Sequence, residues 1–401
     1  MNILTLNAGS SSIKFALFES GCDQSLREGQ ISWADGNRDH AFLTITARGA
    51  RSETSIVSVP HDAAAATRAI EAAVGPDPNQ GSVAAVGHRV VHGGLEFRDS
   101  TLIVPPVKNA ISRLGKLAPL HNPPALAAIE AAETVFQRTP QVAVFDTAFF
   151  KNLPPKEYLF PLPYDYYQRW GIRRFGFHGT SYAYCTLRAA EMLNHRPPSL
   201  NLVLCHLGGG CSAIAVRDGA AIATTFGYSP LDGLMMATRP GSLDPGVLLT
   251  LQSQHGLTLE QIEQALNSSS GLLGVSGVSS DFAELEKAAA TGDQRALLAM
   301  EMFTDRVRKA VGGLAVTLGS LDALVFTDRV GESSSAMRAA VCEGLQMLGV
   351  RLDRQLNERC HPDADIATAD SPARILVIHT REELMIAREA SRVLTYGSTA
   401  A

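Results

Sequence analysis

Apolar residues recur along this chain in two rhythms. Short runs at 2–6, 13–18, 83–91, 141–145, 201–206, 211–217 and 322–327 read as strands, whereas 62–74, 122–136, 284–318 and 335–349 carry the wider spacing of helices. The first two strands are joined by Asn7 to Ser12, a small polar tip that predicts a hairpin. A second copy of that layout follows, with 201–206, a turn at Gly208 to Gly210, 211–217, and then Asp218 and Gly219 before 220–225. Strands alternating with helices in two copies of one layout predict an α/β fold of duplicated architecture. A Pro- and aromatic-rich stretch at 151–170 marks the junction between an N-terminal lobe over 1–150 and a C-terminal lobe over 151–380. Residues 381–401 open as a helix that could close on either lobe, and the N-terminal one is the expectation.

At 401 residues the chain exceeds one ordinary core and suits two lobes with a cleft between them. Its 45% hydrophobic and 19% charged composition is that of a folded enzyme, not a disordered chain. The formal charge of −5 comes without a long run of one sign, which argues against a nucleic-acid or membrane face. Six cysteines (22, 185, 205, 211, 342 and 360) lack zinc or redox spacing and read as free thiols of a reducing compartment. With neither a secretory signal nor a long apolar run, a cytoplasmic location is expected.

Candidate chemistry lies in three turns. The first tip offers Gly9, the hydroxyls of Ser10, Ser11 and Ser12, and then Lys14, so hairpin amides and a cation could meet phosphate oxygens. It is not a Walker A loop, and alone it reads equally as a solvated hairpin. The second turn, His206, Leu207, Gly208, Gly209 and Gly210, would let backbone approach a polyphosphate. The third, 325–334, runs from a strand into a polar turn and a helix, which is either an ordinary capped helix start or a place for anions and ribose hydroxyls.

LNAGSSSIKF (6–15), GHRVVHGG (87–94), PLHNPPAL (119–126), VFDTAF (144–149), GIRRFGFHGTSY (171–182), CHLGGG (205–210), PLDGLMMATRPGSLDPG (230–246) and TREELMIA (380–387) stand in the order of one family's motifs. In these strings, from residue 2 to about 390, the chain resembles the acetate kinase family. The resemblance implies the fold shared by acetate and sugar kinases, actin and heat-shock ATPases: two ribonuclease H-like lobes with an interlobe nucleotide cleft. It also implies reversible transfer of a phosphoryl group from ATP to acetate, giving acetyl phosphate and ADP. Mg²⁺ would be required, with Mn²⁺ able to replace it. The protein would be a homodimer whose C-terminal lobe binds nucleotide and dimerises, with neither nucleic acid nor membrane as a partner.

Carried over position by position, the resemblance makes Arg89 and Arg239 the arginines that hold the acceptor carboxylate and stabilise the transferring phosphoryl group. A planar fork of donors suits both tasks. His178 would hydrogen-bond the phosphoryl group in flight, and Asp146 would serve as the acid or hold metal-bound water. His121 supports the active site, and His206 leads the phosphate loop. Asn7 and Glu382 fall on the metal side, with Glu383 as the alternative to Glu382. Val91, Leu120, Phe177 and Pro230 would line the methyl site, which separates acids differing by one methylene by only about 1–3 kcal/mol, so propionate is expected as a weaker substrate.

The nucleoside end, Asp281, Phe282, Ala283, Arg329, Val330, Gly331, Glu332 and Ser333, is where the chain departs from the family. Asp328 and Arg329 stand where Ala and Gly are usual, Phe282 and Ala283 where Met and Arg are, and Gly209 where Asn is. Pro240, Gly241 and Ser242 replace Ser, Gly and Asp. Either the base makes loose contacts and the loop has drifted, or the donor differs: another nucleotide, pyrophosphate, or weakly bound ATP with Arg329 on a phosphate. Outside enzymes, the alternatives are a non-catalytic nucleotide-binding homologue and a nucleotide-gated, chaperone-like ATPase. The latter class has no need of two carboxylate-binding arginines beside a small apolar pocket.

Overall fold

A computed structural model describes residues 1–9, 11–33, 39–75, 82–195 and 199–397, and the chain divides into two compact units. Unit 1 comprises 1–151 with 381–401, and unit 2 comprises 152–380. Ser10 lies outside the described residues.

Unit 1 is built on a sheet of β1 (Asn2–Ala8), β2 (Ser12–Glu19), β3 (Ser25–Ser32), β4 (Ala41–Ala47), β5 (Glu53–Val57), β6 (Val83–Val90), β7 (Thr101–Leu102) and β8 (Gln141–Phe145). Its order is β5-β4-β3-β2-β1-β6-β8-β7. The first five strands form an antiparallel meander, β6 joins β1 in parallel, β8 joins β6 in parallel, and β7 closes the edge antiparallel. Successive strand side chains face opposite ways. Leu4, Leu6, Phe15, Leu17 and Val86 accordingly pack in one core with Ala66 and Ile70 of the helix Ala63–Val74 and with Ala132 beside it. Gly87, one position on, faces the helix Glu382–Tyr396, where an added Cβ would come 2.8 Å from Ile386 Cγ2 and 3.3 Å from Ala390 Cβ. The missing side chain lets this helix lie close on the sheet and brings Glu382 to the end of β1.

Unit 2 repeats the plan. Its strands are β9 (Asn201–Leu207), β10 (Cys211–Arg217), β11 (Ala220–Thr224), β12 (Ala323–Thr327), β13 (Ala364–Asp365) and β14 (Arg374–Ile378), in the order β11-β10-β9-β12-β14-β13. A meander, here of three strands where unit 1 has five, is again followed by two parallel strands and a short antiparallel edge. Strand for strand, β9 to β11 match β1 to β3, β12 and β14 match β6 and β8, and β13 matches β7. The α/β class and the duplication expected from the sequence are both present. β9 and β12 are buried on both faces, which explains their unbroken apolar character.

The helix expected over 284–318 is two, Phe282–Ala290 and Gln294–Leu318. Gly292 takes a φ of 96°, and the Asp293 side chain accepts from the amides of Arg295 and Ala296, both at 2.9 Å. A left-handed glycine followed by an N-cap ends one helix and starts the next. The stretch 335–349 likewise stops at Cys342, before Gly344 at a φ of 84°. Among the described residues no helix is long and apolar enough to cross a membrane.

Two consequences are measurable. Gly87→Ala should overpack the seam with the C-terminal helix and cost about 1–3 kcal/mol, read as a lowered urea midpoint. Burial lowers the pKa of His88 and of His92 from 6.5 to about 4, partly offset at His88 by its 2.7 Å bond to Gln141. Unfolded imidazoles therefore take up protons below about 6.5 while the folded ones do not, so stability is fully present above 6.5 and falls as the pH drops towards 4. Each histidine should contribute a slope of up to about 1.4 kcal/mol per pH unit in that window. His88→Gln should remove one such share, as followed by urea unfolding at several pH values.

Candidate active site

Unit 1 gathers five of its polar residues at the ends of β1, β6 and β8. Arg89 of β6 donates through Nε and Nη2 to Asp146 Oδ2, at 2.9 and 2.7 Å, where the chain leaves β8. Its Nη1 lies 3.2 Å from Glu382 Oε2 and donates to Asn7 Oδ1 at 3.4 Å. Asn7 Nδ2 in turn donates to Glu382 at 3.2 Å and to Glu383 at 3.5 Å. Asp146 is fully buried and Arg89 half-buried. Burial alone would lower the Arg89 pKa, but Asp146, Glu382 and Glu383 overcome it and hold the guanidinium well above its ordinary value. Arg89 is thus a compensated cation, with two carboxylates fixing its plane.

Nearby side chains complete this end of the unit. Asn122, which opens the helix Asn122–Val135, bonds both the amide and the carbonyl of His92 at 3.0 Å, tying that helix to the turn after β6. His121 precedes this helix, Leu120 is exposed, and Val91 is half-buried. Lys14 is exposed on β2, opposite Asn7, and Ser12 accepts from the Gly9 amide through its carbonyl at 2.8 Å.

Unit 2 gathers a second set around the β9–β10 turn. An added Cβ at Gly210 would meet Arg239 Nη2 at 2.8 Å and His178 Nε2 at 3.2 Å, so this glycine lets backbone lie against both cation and imidazole. His178 sits at the head of the helix Gly179–Met192 with a φ of 60°, a conformation uncommon outside glycine and one that aims its ring at the turn. Its Nδ1 bonds Ser212 Oγ at 3.0 Å, and Tyr182 Oη bonds the same hydroxyl at 2.6 Å. The His178 and His206 rings lie 4.0 Å apart.

Arg239 differs from Arg89. Its only hydrogen bond among the described residues is from Nη1 to the Pro230 carbonyl, at 2.8 Å, and none of their carboxylates pairs with it. Burial pushes its pKa down, with only the Cys211 thiol opposing. A guanidinium held in this way is short of one anion. Phe177 is buried edge-on to Phe226, whose ring lies 5.1 Å from that of His178.

At the far side of the turn, Asp281 caps the helix Phe282–Ala290 through the amides of Ala283 and Glu284, and pairs with Arg329. Phe282 and Val330 are buried, Phe282 against Phe303. Glu332 accepts from the Asp328 amide at 2.9 Å, from the Thr380 amide at 3.3 Å, and lies 2.7 Å from His379 Nδ1. Ser333 donates to the Arg329 carbonyl at 2.7 Å.

Sequence reasoning missed three contributors. Ser212 and Tyr182 orient His178, although Tyr182 closes one quoted motif and Ser212 stands just beyond another. Arg338, fully buried, donates to the carbonyls of Gly331 and Glu332 at 2.8 Å and to Asn357, so it pins the turn that carries Arg329. Nothing in its local sequence marks it. The thiols offer no nucleophile: all six are free, and burial pushes Cys185, Cys211 and Cys342 up to about 12. Among the described residues no group of three or more His, Cys, Asp or Glu is placed to hold a metal.

Comparison with known proteins matches the acetokinase family over residues 2–388. An acetate kinase of Gloeobacter violaceus is 47% identical over 97% of this chain and 98% of its own. The crystal structure of Porphyromonas gingivalis acetate kinase superposes with a TM-score of 0.89 at 37% identity, covering 98% of this chain and all of that one. A propionate kinase from Francisella tularensis subsp. tularensis does so with a TM-score of 0.90 at 36% identity, covering 98% of this chain and 99% of that one.

The two arginines should separate in stability. Arg89→Ala strands the buried Asp146 carboxylate and should cost about 3 kcal/mol or more. Arg239→Ala removes a cation that folding leaves uncompensated and should cost less than about 1 kcal/mol. Urea unfolding of the two variants beside the parent checks the contrast.

Proposed function

The chain belongs to the acetokinase family, and from that premise we propose that it is an acetate kinase, transferring the terminal phosphoryl group of ATP reversibly to acetate. The observation that carries this reading is Arg239, a half-buried guanidinium beside Gly210 and His178 that lacks an anion of its own. Phosphoryl transfer asks little covalent chemistry of a protein and a great deal of positioning and charge. The acceptor is already a carboxylate, so no strong base is needed.

In this scheme His206 and Gly208 to Gly210 receive the donor phosphates, with Ser10, Ser12 and Lys14 as further phosphate ligands. Arg239 and His178 neutralise the charge that spreads over the phosphoryl oxygens. His178 Nδ1 is tied to Ser212, which turns Nε2 toward Gly210. Arg89, its plane fixed by Asp146, presents its remaining edge to the acetate carboxylate. Family resemblance assigns Val91, Leu120, Phe177 and Pro230 to the methyl group, with His121 in support.

Asn7, Asp146 and Glu382 are hard oxygen ligands, and two carboxylates fit a divalent cation that keeps several waters and binds mainly through substrate phosphates. Mg²⁺ held there would neutralise charge between the phosphates. Family resemblance further supports a cytoplasmic homodimer in which unit 2 supplies nucleotide binding through Asp281 to Ala283 and Arg329 to Ser333. Propionate should be a second, weaker acceptor, as the likeness to a propionate kinase also suggests.

A second reading concerns the donor and rests on one observation. Arg329 is paired with Asp281, so a salt bridge joins the two segments assigned to the nucleoside. That arrangement favours weak hold on adenosine and admits another nucleotide or pyrophosphate as donor.

Acetate, Mg²⁺ and hydroxylamine, which traps acyl phosphate as the hydroxamate, test both readings with ATP, GTP and pyrophosphate in turn. ATP-dependent product should form and should fall at least about a hundredfold in Arg239→Ala, the loss of one preorganised donor to the transition state. Product with pyrophosphate alone would establish the donor-switched reading, and no product with any donor would defeat the kinase reading.

A further inference from the structure

Asp328 places a carboxylate inside the phosphate loop. It follows β12 with a φ of 65°, a left-handed conformation, and its side chain lies over the β9–β10 turn. An added Cβ at Gly208 would lie 1.8 Å from Asp328 Oδ2, so the face this glycine leaves open to a ligand already holds a carboxylate oxygen. The same oxygen is 3.0 Å from His206 Nε2.

The imidazole is held on its other side: Thr380 Oγ1 donates to Ser181 Oγ at 2.8 Å, and Ser181 Oγ lies 2.9 Å from His206 Nδ1. That contact fixes the ring with Nε2 facing Asp328. Both features a phosphate oxygen would use on this side of the turn, the open face of Gly208 and His206 Nε2, are therefore taken by the chain's own anion.

The neighbouring charges are placed unevenly. Arg329, the adjacent cation, is bound to Asp281, and Glu332 brings a second carboxylate to the Asp328 amide. Across the turn, an added Cβ at Gly210 would meet the Arg239 guanidinium and the His178 ring, and among the described residues no carboxylate pairs with Arg239. The loop is cationic at Gly210 and anionic at Gly208.

We propose that Asp328 is a built-in anion which the donor's phosphates must displace from Gly208 and His206, and that it thereby sets donor affinity. This rests on the kinase reading above. Displacement is feasible because Asp328 starts a short helix and its side chain keeps about a third of its exposure, at 32%. Arg89, which the kinase reading gives to the acetate carboxylate, belongs to unit 1 and is not touched by it.

The left-handed backbone dictates the variants: glycine adopts this φ freely and asparagine tolerates it, so Asp328→Gly and Asp328→Asn both keep the fold. Equilibrium binding of ATP, ADP and inorganic tripolyphosphate to the full chain with Mg²⁺ is compared with the KM for acetate. Both variants should bind all three phosphates roughly tenfold tighter, about 1.4 kcal/mol, with the acetate KM unchanged. Tripolyphosphate must share the gain, because the contact is with phosphate and not with nucleoside. Unchanged or weaker binding in both variants, or a gain confined to the nucleotides, overturns the proposal. Absence of acyl phosphate from the parent protein with every donor would instead defeat the kinase reading, while the binding comparison would still read Asp328.

Discussion

The structure of unit 2 turns on a guanidinium that folding leaves without a counter-ion. Taking a cation partly out of water is costly unless an opposite charge accompanies it. Arg89 has that charge in Asp146 and Glu382, whereas Arg239 has a carbonyl oxygen and the close backbone of Gly210. The consequence for function is direct. A site that already contains its anion is fixed and electrically satisfied, while one that lacks it gains most when the ligand brings it. The buried network of Tyr182, Ser212 and His178 holds the groups that face that ligand, so the cost of order is met during folding and not at the moment of transfer.

Duplication explains where these groups lie. In each unit the first hairpin tip and the ends of the two parallel strands are neighbours, because β1, β6 and β8 in one and β9, β12 and β14 in the other run side by side. Asn7, Arg89 and Asp146 occupy those three places in unit 1. In unit 2 His206 matches Asn7, Asp328 follows the end of β12 one step beyond the Arg89 position, and Thr380 follows β14. One scaffold has thus been fitted twice, once with a compensated arginine and once with a glycine turn whose two ends carry opposite charge.

Much of this was legible beforehand. Apolar runs marked the central strands because those strands are buried on both faces, and the repeated hairpin announced the duplication. β4 and β5 went unread since they mix polar with apolar residues, β5 being largely exposed and β4 burying only Ala41 and Leu43. The break in the helix expected over 284–318 was present as Thr291, Gly292 and Asp293 but was outweighed by the apolar periodicity on either side. Motif resemblance singled out Arg89, Asp146, Asn7 and Glu382 individually. Their mutual bonds, spanning up to 375 positions, were beyond local reading. Arg338 and the direction of the Asp328 side chain depend on tertiary packing and on one left-handed φ, neither of which leaves a local pattern.

The most direct measurement of the central claim is the affinity of acetyl phosphate, without nucleotide, for the parent protein and for Arg239→Lys and Arg239→Ala. A guanidinium reserved for the phosphoryl group should make binding fall by about ten- to a hundredfold in Arg239→Ala, the loss of one charged hydrogen-bonding partner. Lysine should restore part of it, because a point charge lacks the planar fork. Equal affinity in all three proteins would contradict the account, since Arg239 would then hold its place for some reason other than the phosphoryl group.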